Sequence, residues 1–291
     1  AATTGTNVGI GGQAMLAVTT GTESVGIGYG SLITATTGTG NTAVGKEAMK
    51  STTTASSNTA MGNVALYSNT TGTQNTAMGA GAAYYSTSSY NVAIGYQAYY
   101  GSSGNTTGHY NVAIGDTTMW SATTAQYNVA VGYRTLISVT TGNNNVCFGS
   151  GAGYYHTTGD HNVFIGHDSG RASTTSFQNT FVGNYSGDAQ TTGNANTAVG
   201  YNALGACTTG NNNAAVSKTA LMSITTSSQN TGVGAGAGSS ATTTTNCFNG
   251  GYSADASATD ASNEYTMGNG SITNLRCNDT SISGLSDRRD K

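Results

Sequence analysis

Two residues near the C-terminal end of the chain, Ser286 and Lys291, are of types that can act together in nucleophilic catalysis. A lysine in an apolar, partly desolvated place loses its proton more easily, and the neutral amine can then activate a serine hydroxyl. A serine and a lysine five residues apart do not identify such a site by themselves. They form a candidate catalytic dyad, and the sequence around them must support this assignment.

The second candidate group is a set of aromatic side chains between Tyr84 and Tyr155, in a stretch otherwise rich in small polar residues. Aromatic rings exposed on a rigid polar rod can serve as platforms on which sugar rings stack. In the simpler interpretation, the rings cover the edges of repeating units and fill a seam between chains. The candidate ligand-binding residues are Tyr84, Tyr85, Tyr96, Tyr99, Tyr100, Trp120, Tyr154 and Tyr155.

Other reactive residue types are scattered along the sequence. No metal site is predicted, because no His-x-His pair occurs among His109, His156, His161 and His167, although copies meeting on a threefold axis could create one. No Cys-x-x-Cys pattern occurs, and we expect buried apolar fillers at Cys147, Cys207, Cys247 and Cys277. The sequence has no phosphate loop, zinc-protease helix or nucleophile elbow, and its carboxylates stand singly, so no cofactor is predicted.

The elements that must position these residues are short repeats of the pattern Asn-x-x-x-Gly. Most intervals are 17 residues, but Asn75 to Asn91 and Asn230 to Asn246 are 16 and Asn91 to Asn111 is 20. Self-similarity at a fixed period predicts stacked supersecondary units. The pattern begins at Asn7, Ser24 (in place of Asn), Asn41, Asn58, Asn75, Asn91, Asn111, Asn128, Asn145, Asn162, Asn179, Asn196, Asn213, Asn230 and Asn246.

Each unit carries two further periodic features. A small and then often a larger apolar residue follow the asparagine by seven and eight places, as in Ala203–Leu204, and a threonine pair such as Thr208–Thr209 begins twelve places after it. Frequent Gly, Thr and Asn exclude helices. We therefore predict, in every unit, a strand of four or five residues, a glycine corner, a short second strand and a Thr-Thr-Gly corner.

The unit Asn196–Gly200 illustrates the expected roles. We expect Asn196 to hydrogen bond to its copies above and below, as in other stacked strands. Ala198 should let a neighbouring chain approach, and Val199 should fill the packing. Gly200 should turn the corner.

Composition indicates that one chain cannot bury a conventional core. With five Phe and one Trp in 291 residues, packing must rely on small residues, and the apolar positions left over should face other copies. We predict an all-β fibre, a β-roll or β-solenoid with a 17-residue repeat, wound as an intertwined homotrimer; the alternative is a lone solenoid. Charged residues make up 7% of the chain without a basic patch, and no apolar run has membrane length, so neither nucleic-acid binding nor membrane insertion is predicted.

Three segments are predicted: a repeat shaft at 1–254, a neck or transition segment at 255–285, and the start of a further domain at 286–291. The repeat array, followed by Ile272–Cys277 and Ser286–Lys291, resembles bacteriophage tail fibres and tailspikes that end in a peptidase S74 intramolecular chaperone. The resemblance implies that Ser286 is the nucleophile and Lys291 its base in self-cleavage before Ser286. The chaperone body of that family does not follow Lys291 in this sequence.

The rungs of the form Asn-x-Ala-x-Gly are also similar to the left-handed β-roll heads of trimeric autotransporter adhesins, with a longer repeat. This second resemblance bears on the fold. The first resemblance implies a virion protein, a structural tail fibre that attaches to a host-surface glycan or protein receptor and joins the baseplate or other tail proteins. It would not be an enzyme, apart from releasing its chaperone. The alternatives are a bacterial surface adhesin, a tailspike depolymerase with clustered carboxylates and, last, an ice-binding solenoid.

Overall fold

The computed structural model describes residues 5–101 and 106–273, and within these residues it contains strands and turns but no helix. Sixteen strands of three residues each form one parallel sheet in sequence order. The strands are β1 (Val8–Ile10), β2 (Val25–Ile27), β3 (Thr42–Val44), β4 (Thr59–Met61), β5 (Thr76–Met78), β6 (Val92–Ile94), β7 (Val112–Ile114), β8 (Val129–Val131), β9 (Val146–Phe148), β10 (Val163–Ile165), β11 (Thr180–Val182), β12 (Thr197–Val199), β13 (Ala214–Val216), β14 (Thr231–Val233), β15 (Phe248–Gly250) and β16 (Tyr265–Met267).

Each strand lies one coil of chain beyond the strand with which it pairs. Val129 of β8 pairs with Val146 of β9, so the register advances by 17 residues in this coil. The described chain is therefore an all-β solenoid of parallel strands, which confirms the predicted solenoid and its repeat. The homotrimer stays a prediction. With about 4.8 Å between neighbouring strands, the sheet is roughly 70 Å long. Positions within a coil are numbered from the residue before the strand, so that Asn128 stands at position 0 and β8 covers positions 1–3.

Asparagines at position 0 form a buried ladder inside the solenoid. The backbone N–H of Asn128 donates to Asn111 Oδ1 (3.0 Å), and Asn128 Oδ1 accepts from the backbone N–H of Asn145 (3.0 Å). Asn128 Nδ2 also donates to the carbonyl of Gly142, at the far end of the same coil (2.9 Å). Each such side chain ties its coil to both neighbours and closes it across the interior, which confirms the predicted ladder.

The chain leaves the sheet at position 4 and does not form a second strand. Gly45 stands there with a φ of 137°, and a Cβ atom on it would collide with the carbonyl oxygen of Gly62 in the next coil. Positions 6 and 8 are left-handed as well, as in Glu47 (φ 55°) and Met49 (φ 52°). The predicted second strand is wrong, because left-handed residues interrupt an extended backbone.

Positions 2 and 8 share the interior of each coil, and their sizes compensate. Six coils combine alanine at position 2 with Leu or Met at position 8, as in Ala130 and Leu136. Two consecutive coils instead carry Phe164 and Phe181 at position 2, and both have glycine at position 8. A Cβ atom on one of these glycines, Gly170, would lie 2.7 Å from the ring of Phe164. The close packing of a protein interior therefore permits one large residue at this pair of positions.

The middle residue of each strand faces inward, whereas positions 1 and 3 face outward. Ala198 is fully buried, and its neighbour Val199 is 37% exposed. This arrangement reverses the expectation that Ala198 meets a neighbouring chain and that Val199 fills the packing. The reason is the period-two alternation of a strand, which turns only the middle of three residues toward the coil interior.

The 17-residue register continues where the asparagine pattern fades. The strand β15 begins at Phe248, so Cys247 occupies position 0, and its backbone N–H donates to Asn230 Oδ1 (3.1 Å). The assignment of Asn246 as the start of this repeat is therefore wrong. Asn246 precedes position 0 by one residue, and the coil is 17 residues long rather than 16. A further step of 17 residues pairs Phe248 with Tyr265 of β16.

Candidate functional site

The candidate dyad of Ser286 and Lys291 lies outside the described residues, as does Cys277. Self-cleavage before Ser286 and the predicted segment boundaries therefore stay predictions. The three other cysteines, Cys147, Cys207 and Cys247, are free and buried, in agreement with the expected filler role. Burial raises the pKa of the Cys207 thiol to about 11, which keeps it protonated at neutral pH.

Tyr99 is a core residue, which corrects its assignment as a surface aromatic. It stands at position 8, and its side chain is fully buried. Its hydroxyl donates to the carbonyl of Gly108 (2.8 Å) and accepts from Asn111 Nδ2 (3.1 Å). Burial raises the pKa of Tyr99 above the usual range of a phenol. Its place eight residues after Asn91, where other coils carry Leu or Met, is the sequence signal that identifies this role.

Four rings at position 9 of consecutive coils form a continuous stack, called the aromatic row below: Tyr67, Tyr84, Tyr100 and Trp120. Successive ring centroids are 4.7, 5.2 and 5.7 Å apart, with interplanar angles of 3°, 22° and 3°. Tyr85 packs edge-on against Tyr84, with centroids 4.6 Å apart. The sequence interpretation missed Tyr67, although it follows its asparagine by the same nine residues as the other three.

Mutual stacking leaves few open ring faces in the aromatic row. The inner rings are covered by neighbouring rings, and Lys50 Nζ lies 5.3 Å from the ring centroid of Tyr67 at one end. A second stack, of Tyr90, Tyr110 and Tyr127, has centroids 4.9 and 5.1 Å apart. Sugar rings bind to the faces of aromatic rings rather than to their edges. For both stacks the geometry thus favours the simpler interpretation, in which the rings join neighbouring coils.

The remaining candidates lie apart from both stacks. Tyr96 stands at position 5 and is 54% exposed. Tyr154 and Tyr155 pack edge-on against each other, and the Arg171 guanidinium lies 5.4 and 5.2 Å from their ring centroids. Arg171 Nε is 3.5 Å from Asp168 Oδ1. Two predicted aromatics therefore belong to a charged cluster that the sequence interpretation did not predict.

Three members of this cluster, Tyr154, Asp168 and Arg171, line a groove of about 150 Å³ on the outside of the rod, called the arginine groove below. Arg134 also lines this groove, and its guanidinium carbon lies 4.9 Å from the ring centroid of Tyr133. Gly151 keeps the groove open, because a Cβ atom on this residue would collide with the carboxylate of Asp168. The lining residues are Tyr133, Arg134, Ser150, Gly151, Tyr154, Asp168 and Arg171.

The carboxylates of Asp168 and Asp188 are coupled electrostatically beside the groove. Partial burial raises the pKa of Asp188, and the negative charge of Asp168 raises it further. Backbone N–H groups and the charge of Arg171 oppose this upward shift without cancelling it. The described residues contain no group of three His, Cys, Asp or Glu side chains placed to hold a metal ion.

His156 is the buried histidine of the set. Its Nε2 lies 2.8 Å from the carbonyl oxygen of Gly159, and its Nδ1 lies 3.2 Å from Ser173 Oγ. Burial lowers the pKa of His156, so the ring stays neutral at pH 7. Both ring nitrogens have partners inside the coil, which identifies His156 as a satisfied core residue.

The side chains at positions 1 and 3 of all sixteen strands form an outer sheet face along the rod. Position 1 carries mainly Thr or Val, position 3 carries mainly Val, Ile or Met, and neither position carries a charged residue in any described strand. Several residues at position 3 are well exposed, including Met61 (42%), Phe148 (40%) and Val233 (43%). The outer sheet face is therefore apolar, continuous and uncovered in the single chain.

The described residues thus present an uncovered apolar sheet face and a groove lined by charged and aromatic side chains. They contain no helix that could cross a membrane. No protein family, curated protein or solved structure matches the chain.

Proposed function

We propose that this chain forms the shaft and receptor-binding part of a phage tail fibre, a structural virion protein that attaches the particle to its host. The observation that carries the proposal is the outer sheet face, which runs along a rigid rod of sixteen stacked strands. A long, stiff protein of this form can extend from the particle to the cell surface, and its sheet face allows copies to associate side by side. It bridges a tail structure at one end and a glycan or protein receptor on the cell surface.

The outer sheet face supports association into a homotrimer. Sixteen strands of three residues give a face on the order of 700 Å², from strand spacings and residue rises. Stable interfaces bury about 800 Å² per partner, and monomers rarely expose an apolar patch of that size. Three copies around one axis would cover these faces, and they would multiply weak receptor contacts into firm attachment.

The experiment is sedimentation of the purified chain and of a double variant, Met78→Lys with Ile165→Lys. Both residues stand at position 3, where new charges would be desolvated in a trimer. The parent is expected at three times the 29.1 kDa chain mass and the variant at the single-chain mass. Tyr201→Lys is the matched control, because Lys46 and Lys218 occupy the same position 5 in other coils. A parent chain that sediments as a monomer would contradict the trimer.

Immunogold labelling distinguishes the tail fibre from a bacterial surface adhesin. An antibody against the chain is expected to decorate the tails of phage particles in electron micrographs. Decoration of the envelope of uninfected bacteria would instead favour the adhesin, and decoration of neither would contradict the attachment function.

A further inference from the structure

Both arginines in the described part of the chain, Arg134 and Arg171, line the arginine groove. The described residues carry few charged side chains altogether, so the presence of two guanidinium groups in one small groove distinguishes it from the rest of the rod. The aromatic rings of Tyr133 and Tyr154 lie in the same groove.

The two arginines differ in their partners. Arg171 is paired with Asp168 and covered by two tyrosine rings. Among the described residues, Lys50–Glu47 and Arg171–Asp168 form ion pairs, and His167 Nδ1 lies 3.6 Å from Asp168 Oδ2. None of these contacts includes Arg134. Arg134 is exposed, with its guanidinium over the ring of Tyr133. Its charge therefore remains available to an anion, which a guanidinium can bind through two parallel hydrogen bonds.

The carboxylate of Asp168, in the same groove, requires a hydrogen-bond donor. Asp168 accepts hydrogen bonds only, and its charge repels a second anion placed against it. A ligand that suits both side chains must carry one anionic group for Arg134 and hydroxyl donors for Asp168, within a space of about 150 Å³. A sugar that bears a carboxylate has these groups on one ring, and its apolar ring face can lie against tyrosine.

We propose that the arginine groove binds an acidic saccharide, with the sugar carboxylate on Arg134 and sugar hydroxyls on Asp168. The proposal rests on the proposed attachment function and names the chemical class of the receptor. Binding at one groove is of modest strength because Arg134 is exposed to solvent. Identical grooves on associated copies would raise the overall strength by multivalency.

The experiment measures binding of oligogalacturonate to the full chain by calorimetry, with the methyl-esterified oligomer as the uncharged control ligand. The acid is expected to bind and the ester to bind at least about tenfold more weakly, because the ester removes one charge-assisted contact. Arg134→Gln should weaken binding of the acid by a similar factor. Lys218→Gln is the matched control, since it removes a cation from a distant coil and should leave binding unchanged.

A second variant tests the location of binding independently of charge. Ser150 stands at position 5, where the preceding coil carries Tyr133 and a more distant coil carries Tyr96, so the fold accommodates Ser150→Tyr. The larger side chain should fill the groove and abolish binding of the acid. Equal binding of acid and ester, or full binding by either groove variant, would overturn the proposal, as would an absence of binding by the parent chain.

Adsorption of the same proteins to bacterial cells separates this proposal from the attachment function. Cell binding by Arg134→Gln at parental strength would show that attachment uses another surface and would overturn the groove as the receptor site. If Arg134→Gln loses both cell binding and oligogalacturonate binding, both proposals are supported. Oligogalacturonate binding without any cell binding would contradict attachment and leave the groove assignment supported.

Discussion

Residue identity is nearly constant along the inner asparagine ladder but varies widely at position 9 on the outside of the rod, although the same coils build both. Position 0 is asparagine in most coils, whereas position 9 changes from Lys50 through the rings of the aromatic row to Arg171 and Asp188. Inside, the side chain must satisfy buried backbone groups of two coils, and few side chains can do this. At position 9, the backbone carbonyl accepts from a backbone N–H of the adjacent coil, as Tyr67 does from Ser51 (3.0 Å). No buried backbone group there depends on the side chain, so the side chains are free to vary.

Removal of one inner asparagine should have the largest effect on stability. Asn128→Ala leaves the carbonyl of Gly142 and the N–H of Asn145 buried without their side-chain partner. Each unsatisfied group costs about 1–3 kcal/mol, so we expect a loss of about 2–6 kcal/mol. Native-state hydrogen exchange of the coil amides is the appropriate measurement, because long repeat arrays open locally.

The neighbouring substitution Gln126→Ala provides the control for the asparagine variant. Gln126 is half-buried, and only its backbone takes part in the bond to Asn143 Oδ1. We expect a change within about 0.5 kcal/mol, as for surface substitutions. If Asn128→Ala opened no more easily than this control, the ladder would not be the element that holds the coils together.

The paired positions 2 and 8 provide the next largest effect and a test of compensation. Phe181→Ala should cost about 3–5 kcal/mol through the cavity that it leaves. Gly187→Leu should cost about 1–3 kcal/mol, because the new side chain collides with the ring of Phe181. The double variant recreates the alanine and leucine of other coils, where the left-handed Leu136 shows that the backbone accepts leucine.

The double-variant cycle decides whether the two sizes compensate. We expect the double variant to be at least about 2 kcal/mol more stable than the sum of the single changes, within the range for residues in contact. The measurement is chemical denaturation of the parent and the three variants at one fixed protein concentration, because the proposed association would add to the apparent stability. Strict additivity would mean that positions 2 and 8 do not share one space.

The periodic asparagine made the fold predictable, because an interval of 17 residues leaves little choice but stacked coils. The same numbering identifies Tyr99 as core and Tyr67 as part of the aromatic row. The backbone between positions 4 and 8 was not predictable in this way. Residues such as Glu47 and Met49 carry no preference for a left-handed conformation, and only closure of the coil forces it.

The arginine groove could not be read from local sequence. Its walls come from Arg134, Tyr154 and Arg171, which stand in three successive coils and at two different positions in them. Stacking brings them to one corner only if the register holds throughout. The register near Asn246 shows how a one-residue error arises when an asparagine lies next to the true position 0.

A substitution in the aromatic row, at position 9 on the outside of the rod, should have the smallest effect on stability. Tyr100→Leu removes stacking on Tyr84 and Trp120, and other coils already carry aliphatic residues at position 9, as in Ile137. Aromatic pairs contribute about 0.5–1.5 kcal/mol beyond burial, so we expect a loss of about 1 kcal/mol. Fluorescence of Trp120, the single tryptophan of the chain, reports the change directly. Tyr29→Leu, at an exposed position 5, should change neither stability nor fluorescence. If Tyr100→Leu lowered the free energy of unfolding as much as Asn128→Ala does, the side chains at position 9 would stabilise the solenoid as strongly as the ladder. The distinction between a constrained interior and a variable exterior would then be wrong.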